Sequence, residues 1–306
     1  MAEVTSILQR LGGYQPRSSI KSQTLVKNAP GVLAGGNRSR SDEGWDAVEN
    51  TLLAAVDEGD YKLAEKCLEL LVEKFPASPR VDCLSGIIIE SKESPATALA
   101  YYDELLKEDS SNAALWRRKA GVLRRSGKVD EAATELCVML DTFYTEVEGW
   151  LELTDIYLSC NRNELALQAL SHVLLLAPQN PFHVLHFAET AFLVPDIPLA
   201  LKVYLQVVDM TDDDDQDGVS PMDTVPSGLA LRAWYGVKLC TNKLITEPRA
   251  INSPSQVSSP KTNDLAALDD LATERLKTAY LETTRESPPA GDSALLKEMA
   301  SILLRA

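Results

Sequence analysis

The hydrophobic and polar positions of this chain recur with a period of 34 residues. Written in rows of 34, the sequence gives rows that begin at Trp45, Pro79, Ala113, Val147 and Pro181. The twentieth column then contains only alanine, at Ala64, Ala98, Ala132, Ala166 and Ala200. The twenty-fourth column contains only bulky residues, at Leu68, Tyr102, Leu136, Leu170 and Tyr204. A fixed period of this length indicates a repeat protein whose units stack in sequence.

Each row predicts two amphipathic helices, because its apolar residues recur at helical spacing on either side of a short polar turn. Such turns lie at residues 58–60, 126–128 and 160–162. A small alanine in the twentieth column allows the second helix to pack closely against the first. One row cannot bury its apolar face alone, so stacked rows share a continuous core. The sequence therefore predicts an all-α, right-handed superhelical solenoid of antiparallel helix pairs with a helical C-terminal cap.

One row carries a family pattern most completely. Residues 147–180 place the marked positions at Trp150, Leu153, Tyr157, Ala166, Leu170 and Pro178. This arrangement resembles the tetratricopeptide-repeat (TPR) family, in which aromatic and small residues mark the first helix, and alanine, a bulky residue and proline mark the second. The resemblance covers residues 45–210 and implies five TPR repeats. It also implies a protein that binds other proteins and is not an enzyme.

The segments outside the repeats differ in composition. Residues 1–44 are basic and are predicted to be largely disordered, although their composition is also typical of a transit peptide. Residues 211–227 form a predicted acidic loop, either simply solvated or able to recruit a basic partner. Residues 228–306 are predicted to contain a degenerate repeat and capping helices at about 263–286 and 292–305. A Ser- and Pro-rich loop at 246–262 interrupts them.

Charge and cysteine usage narrow the class of protein. The net charge is -15, which argues against a general nucleic-acid surface, because such a surface needs a basic footprint. The five cysteines are spaced singly, as expected for reduced thiols in a reducing compartment. The sequence has neither an apolar run of about 20 residues nor a signal-type leader, so we expect neither a membrane span nor secretion.

The sequence contains few features that indicate catalysis or metal binding. It contains no glycine-rich phosphate loop and no HExxH or GxSxG motif. His183 and His186 lie three residues apart on a predicted helix and could present two ligands on one face. No carboxylate or cysteine completes a metal set at suitable spacing, so ordinary surface histidines are the favoured interpretation. We therefore expect no catalytic residue, no metal and no cofactor.

A basic run in the third row is a candidate binding surface. In this repeat geometry the first helix of each row lines a groove, mainly through its second, fifth, ninth and twelfth positions. Arg117 and Arg124 occupy such positions, and Arg125 is adjacent to them. With Arg118, Lys119 and Lys128 they give six positive charges without an acid. Two interpretations stay open: a solvated helix face, or a surface for an acidic or phosphorylated partner segment or a carboxyl terminus.

The fourth and fifth rows predict a more apolar groove. Their corresponding positions are Leu151, Asp155, Leu158, Phe182, Leu185, Glu189 and Phe192. Exposed leucine and phenylalanine side chains there would bind a partner helix or strand, although some must instead pack between repeats. The two-carboxylate clamp of chaperone-binding TPR adaptors needs a fifth-position lysine and a ninth-position asparagine in one row. No row of this chain combines them.

A more specific resemblance extends over roughly residues 60–210. It is carried by residues 64–75, 79–81, 101–103, 108–109, 117–128, 148–153 and 156–157. These segments resemble the family of subunit 2 of the endoplasmic reticulum (ER) membrane protein complex, in its fungal form. The chain departs from that family in its longer basic N-terminus, its acidic insertion and its Ser/Pro linker.

The resemblance implies a peripheral scaffold on the cytoplasmic side of the ER membrane, which associates with the membrane only through its partners. In that family the subunit holds the cytosolic parts of subunits 3 and 5, and often subunit 8. The assembled complex inserts tail-anchored and multi-pass membrane proteins. The alternative hypothesis is a free cytosolic TPR adaptor that binds acidic peptides or chaperones.

Overall fold

A computed structural model describes residues 19–33, 42–211, 225–247, 255, 257 and 260–282. Throughout these ranges the regular secondary structure is α-helical, and they contain thirteen helices and no strand. This confirms the predicted all-α class. The helices are α1 (Ser19–Leu33), α2 (Asp42–Glu58), α3 (Tyr61–Lys74), α4 (Pro79–Lys92), α5 (Pro95–Glu108), α6 (Ala113–Arg125), α7 (Val129–Thr142), α8 (Val147–Ser159), α9 (Asn163–Leu176), α10 (Pro181–Leu193), α11 (Ile197–Thr211), α12 (Gly228–Thr246) and α13 (Thr262–Glu282).

The helix boundaries follow the 34-residue period. Four first helices begin where the rows begin, at Pro79, Ala113, Val147 and Pro181. The second helices begin at Tyr61, Pro95, Val129, Asn163 and Ile197, again 34 residues apart. The alanine of the twentieth column is 0% exposed in all five rows. Each second helix therefore approaches its first helix at the one position where the side chain is smallest.

Local polar chemistry sets these boundaries. Asp60, Ser94 and Asn112 each cap a helix by accepting a hydrogen bond from a backbone N–H in its first turn. The turn between paired helices places Gly59 and Gly127 at φ 79° and 78°, a left-handed conformation that costs glycine little. Asparagine, which also tolerates this region, occupies the equivalent position in another row.

The chain forms two compact units, residues 1–144 and 145–306. In the first unit α2–α7 form three helix pairs, and first helix α4 contacts both α2 and α6. Helix α1 packs on α2, where Leu25 is buried in a cluster with Ala47 and Ala54, and Ala29 of α1 is also buried. The prediction that residues 1–44 are largely disordered is wrong for this helix. Its apolar residues share one helical face, which the basic composition of the segment obscured.

In the second unit α8–α11 form two helix pairs, and α12 packs on α11 as the first helix of a further repeat would. The backbone at Gly236 of α12 lies against the ring of Tyr204, the twenty-fourth-column residue of α11. Helix α13 then covers α12 and adds Leu265 and Leu276 to the same core. Asp269 of α13 accepts hydrogen bonds from the side chains of Lys238 and Thr241, 2.8–2.9 Å long.

Some predicted segments lie outside the described residues. These are residues 1–18 and 34–41, the acidic stretch 212–224, most of the Ser/Pro-rich loop and the helix predicted at about 292–305. Among the helices that are described, none combines the length and the apolar character that a membrane span requires.

Replacement of Gly236 by alanine should destabilise the second unit. An added Cβ would lie far inside van der Waals contact with the Tyr204 ring, which is only 5% exposed. Such overpacking costs about 1–3 kcal/mol, so the urea unfolding midpoint should fall. Gly31→Ala is the control, because its Cβ would meet nothing within 4 Å and alanine favours a helix by about 0.5–1 kcal/mol. Equal stability of the two variants would contradict this packing.

Candidate partner-binding surface

The first helices of the first unit enclose a pocket of about 400 Å³. Its apolar lining consists of Leu53, Val56 and Ile87, all partly buried. Polar side chains complete the lining: Asp57, Glu90, Ser91, Arg118 and Arg125. The residues from α2 and α4 occupy the ninth, twelfth and thirteenth columns of their rows. The repeat geometry therefore brings equivalent positions of neighbouring first helices together, and we call this site the Glu90 pocket.

Glu90 is the electrostatic centre of the pocket, with a side chain only 5% exposed. Its Oε1 accepts a 2.5 Å hydrogen bond from the Tyr102 hydroxyl and lies 3.6 Å from Nε of Arg118. Its Oε2 accepts a hydrogen bond from the guanidinium of Arg125. Burial of the Tyr102 hydroxyl, and then its bond to Glu90, raise the pKa of Tyr102 far above its usual range. A buried carboxylate is thus held by groups from two further helices.

Acids on neighbouring helices neutralise much of the predicted basic run. Lys119 forms ion pairs with Asp103 (2.9 Å) and Glu135 (2.8 Å), and Lys128 pairs with Glu131 at 3.1 Å. A run that lacks acids in the sequence is therefore largely paired within the fold. These ion pairs do not decide between a solvated helix face and a surface for an acidic partner segment. They do show that the basic residues of the run differ in whether an acid neutralises them.

The three predicted arginines lie in different environments. Arg125 lines the Glu90 pocket and its side chain is 56% exposed, although it pairs with Glu90. Arg124 is exposed, and within the described ranges its side chain forms no ion pair. Arg117 is partly buried. Of these three arginines, Arg125 is therefore the one that lines the Glu90 pocket.

In the second unit the predicted groove residues are less exposed than expected. Phe182 is 65% exposed and Asp155 is also exposed. Leu151 and Leu158 are partly buried. Leu185 is 3% exposed within the core between the helices, so the expectation that it lines an open groove is wrong. It is one of the residues that pack between repeats.

Two further predicted residues of this unit contact α12. Both oxygens of Glu189 accept bonds from the guanidinium of Arg232, at 2.6 and 2.9 Å. The ammonium of Lys243 lies 5.2 Å from the centre of the Phe192 ring, within cation–π distance. The charge on Glu189 is therefore used within the fold, where it ties α10 to α12.

Pairing between consecutive first helices is a shared feature that the sequence analysis missed. Besides Glu90 and Glu189, Glu49 of α2 pairs with Arg80 of α4 at 2.8 Å. The same rule of groove positions, applied to the first two rows, selects Leu53, Val56, Ile87 and Glu90. The positions that form the Glu90 pocket were therefore identifiable from the sequence. The prediction was placed in the third row because that row carries uninterrupted positive charge.

The histidines form no ligand set. His183 hydrogen-bonds the side chain of Asn180 at 3.0 Å, and burial, followed by the charge of His186, lowers its pKa. His172 stacks on Trp150 with ring centres 4.3 Å apart. Across the described part of the chain, no group of three or more His, Cys, Asp or Glu residues could hold a metal ion.

The helix pairs and the pocket between first helices define a helical-repeat protein. A tetratricopeptide-repeat family model matches residues 50–112 and 90–140. The TPR repeat protein oca3 of Schizosaccharomyces pombe is 30% identical over 209 residues, which cover 67% of this chain and 68% of that protein. The chain belongs to the TPR repeat protein family.

Two further similarities are informative. The ER membrane protein complex subunit 2-B of Xenopus laevis is 27% identical over 242 residues, covering 78% of this chain and 74% of that one. This supports the resemblance inferred from the sequence. The solved C-terminal part of a TPR repeat-containing protein from Cytophaga hutchinsonii has a TM-score of 0.52 at 14% identity. It covers 91% of this chain and 99% of that one, and shows likeness of fold alone.

Removal of the Tyr102 hydroxyl should destabilise the first unit. Tyr102→Phe leaves a buried carboxylate with one donor fewer, and a hydrogen bond to a charged group contributes about 1.5–3 kcal/mol. The matched control is Tyr61→Phe, because the Tyr61 hydroxyl donates to the Ser91 carbonyl at an exposed site and should change stability by no more than about 0.5 kcal/mol. Urea unfolding of both variants tests this. Equal midpoints would mean that the buried bond contributes nothing.

Proposed function

We propose that this chain is a non-catalytic scaffold subunit of the ER membrane protein complex. The observation that carries the proposal is the similarity to ER membrane protein complex subunit 2-B, which extends over 78% of the chain. In this role the chain supports the insertion of tail-anchored and multi-pass membrane proteins by holding the complex together.

Its partners in this proposal are the cytosolic parts of subunits 3 and 5, and often subunit 8. The chain lies on the cytoplasmic side of the ER membrane and reaches it through those partners. Ion pairs between consecutive first helices support this role, because they fix neighbouring repeats relative to one another within each unit. A surface fixed in this way loses little conformational entropy when a partner segment binds.

The first-helix surface of the second unit provides a specific contact in this proposal. Phe182 lies at the second position of its row, and 65% of its surface is exposed to solvent. Exposed aromatic side chains are enriched among the residues that dominate binding energy at protein interfaces. We therefore assign Phe182 as a partner contact. Leu175 on second helix α9 is 80% exposed and provides a comparison on a different helix class.

Affinity purification with quantitative mass spectrometry from detergent-solubilised membranes tests the proposal. The tagged chain should sediment with ER membranes and be extracted from them by alkaline carbonate, as a peripheral protein is. It should also co-purify with multi-spanning subunits. Phe182→Asp should lower the recovery of those subunits by about fivefold or more, which corresponds to roughly 1 kcal/mol of binding free energy. Leu175→Asp, the control, should leave recovery unchanged.

Two results would count against this function. A chain that stays in the cytosol without membrane subunits, and that captures acidic peptides as a monomer, would favour the free adaptor. Equal loss of partners with Phe182→Asp and Leu175→Asp would remove the assignment of the first-helix surface, even if membership of the complex were established.

A further inference from the structure

We propose that the Glu90 pocket binds an extended segment of a partner protein in which an aspartate or glutamate side chain lies beside an aliphatic side chain. The inference rests on the proposed function only in taking a protein partner as the ligand. It assigns two parts of the pocket to two parts of that segment: an apolar wall for the aliphatic side chain and a guanidinium for the carboxylate.

The apolar part of the pocket is preformed. Leu53 and Val56 of α2 and Ile87 of α4 leave a partly buried apolar wall beside the charged cluster. The volume of about 400 Å³ lies within the range of ordinary ligand pockets, about 300–1,000 Å³. An aliphatic side chain that enters would remove apolar surface from water on both partners, which favours binding.

The charged part of the pocket has donor capacity in excess of its acceptor. Glu90 supplies one carboxylate to two guanidinium groups and also accepts the Tyr102 hydroxyl. Nε of Arg118 is buried without a hydrogen-bond acceptor, because its ion pair with Glu90, at 3.6 Å, is too long for a hydrogen bond. A second carboxylate that enters the pocket would add an acceptor for the exposed guanidinium of Arg125.

Arg125 is the residue that can change partners. Its side chain is 56% exposed whereas Glu90 is 5% exposed, so the arginine can turn toward a ligand while the carboxylate stays in place. Glu90 would keep the Tyr102 hydroxyl and the Arg118 charge in that event. A basic ligand, in contrast, would meet two guanidiniums and gain only Asp57, an exposed acid that already accepts the Ser22 hydroxyl at 3.2 Å.

The rim favours an internal segment over a chain terminus. Asp57 and Ser91 are exposed at the opening and can both accept backbone N–H groups of a chain that continues past the pocket. A chain that ended in the pocket would offer fewer backbone N–H groups to these two acceptors. We therefore assign the carboxylate to an acidic side chain and make the terminus an outcome of the test.

Fluorescence anisotropy with short peptides tests the proposal on the full chain. The probe is a fluorescein-labelled, C-amidated decapeptide with a central Leu-Asp-Leu between Gly-Ser spacers. Binding should weaken about tenfold when its aspartate is replaced by asparagine, because a charge-assisted bond is lost. It should also weaken when both leucines are replaced by serine. A peptide that ends in Leu with a free carboxylate and no aspartate should bind no better than the asparagine peptide.

Two variants of opposite expected sign make the test sharp. Arg125→Ala should weaken the aspartate peptide about tenfold. Glu90→Gln should tighten it about fivefold, because the amide keeps an acceptor for Tyr102 while both guanidiniums lose their competing carboxylate. Arg80→Ala is the matched control, since Arg80 pairs with Glu49 outside the pocket lining and should leave affinity unchanged.

The proposal is overturned if a folded Glu90→Gln protein binds the aspartate peptide no more tightly than the original chain. It is also overturned if Arg125→Ala and Arg80→Ala behave alike, or if the free-terminus peptide binds as well as the aspartate peptide. Failure of the proposed function would appear separately, as a chain that binds the peptide with the expected pattern but recovers no membrane subunits.

Discussion

Close approach of two helices at one alanine per repeat is the constraint on which the rest of this molecule depends. The twentieth-column alanine is 0% exposed in each of the five rows, so no larger side chain fits there without separating the helices. With that separation fixed, four of the first helices begin at the first residue of their row. Equivalent positions of neighbouring first helices then meet, as Ile87 meets Leu53 in the Glu90 pocket.

The charges on these first helices serve the fold before they serve a partner. Glu49, Glu90 and Glu189 each pair with arginine on the next first helix. Ion pairs on open surfaces contribute little, but Glu90 is nearly excluded from water and depends on its partners. On a surface whose charges are mostly paired within the fold, net charge does not determine which partner binds. A local excess of one charge does, such as the two guanidiniums around the single carboxylate of Glu90.

Much of the fold could be predicted, because the residues that determine the helix pairs recur every 34 positions. The alanine column and the row starts gave the helix pairs, and Pro79, Ala113, Val147 and Pro181 are the first residues of helices as expected. Helix α1 was missed because its apolar face, with the buried residues Leu25 and Ala29, lies in a basic segment outside the repeat register. The burial of Leu185 was missed because the position of a residue within the 34-residue repeat does not show which neighbouring helix packs over its side chain.

The candidate site was only partly predictable for a different reason. Arg125 and Glu90 are 35 residues apart, so the pairing that decides their roles depends on how two repeats pack. Sequence pattern places both on first helices and leaves their contact unspecified. Positive charge without nearby acid in the sequence, as around Lys119, therefore does not indicate positive potential in the fold.

The sharing of Glu90 among three helices also bears on how the first unit loses its structure. In helical-repeat proteins each repeat contacts only its neighbours, so terminal repeats can melt before central ones. Unfolding of the third repeat would remove Arg118 and Arg125 from Glu90. This carboxylate of the second repeat would then keep only its hydrogen bond from the Tyr102 hydroxyl. The second and third repeats are thereby coupled into one cooperative unit, in which the amide hydrogens of α4 and α6 share a common free energy of opening.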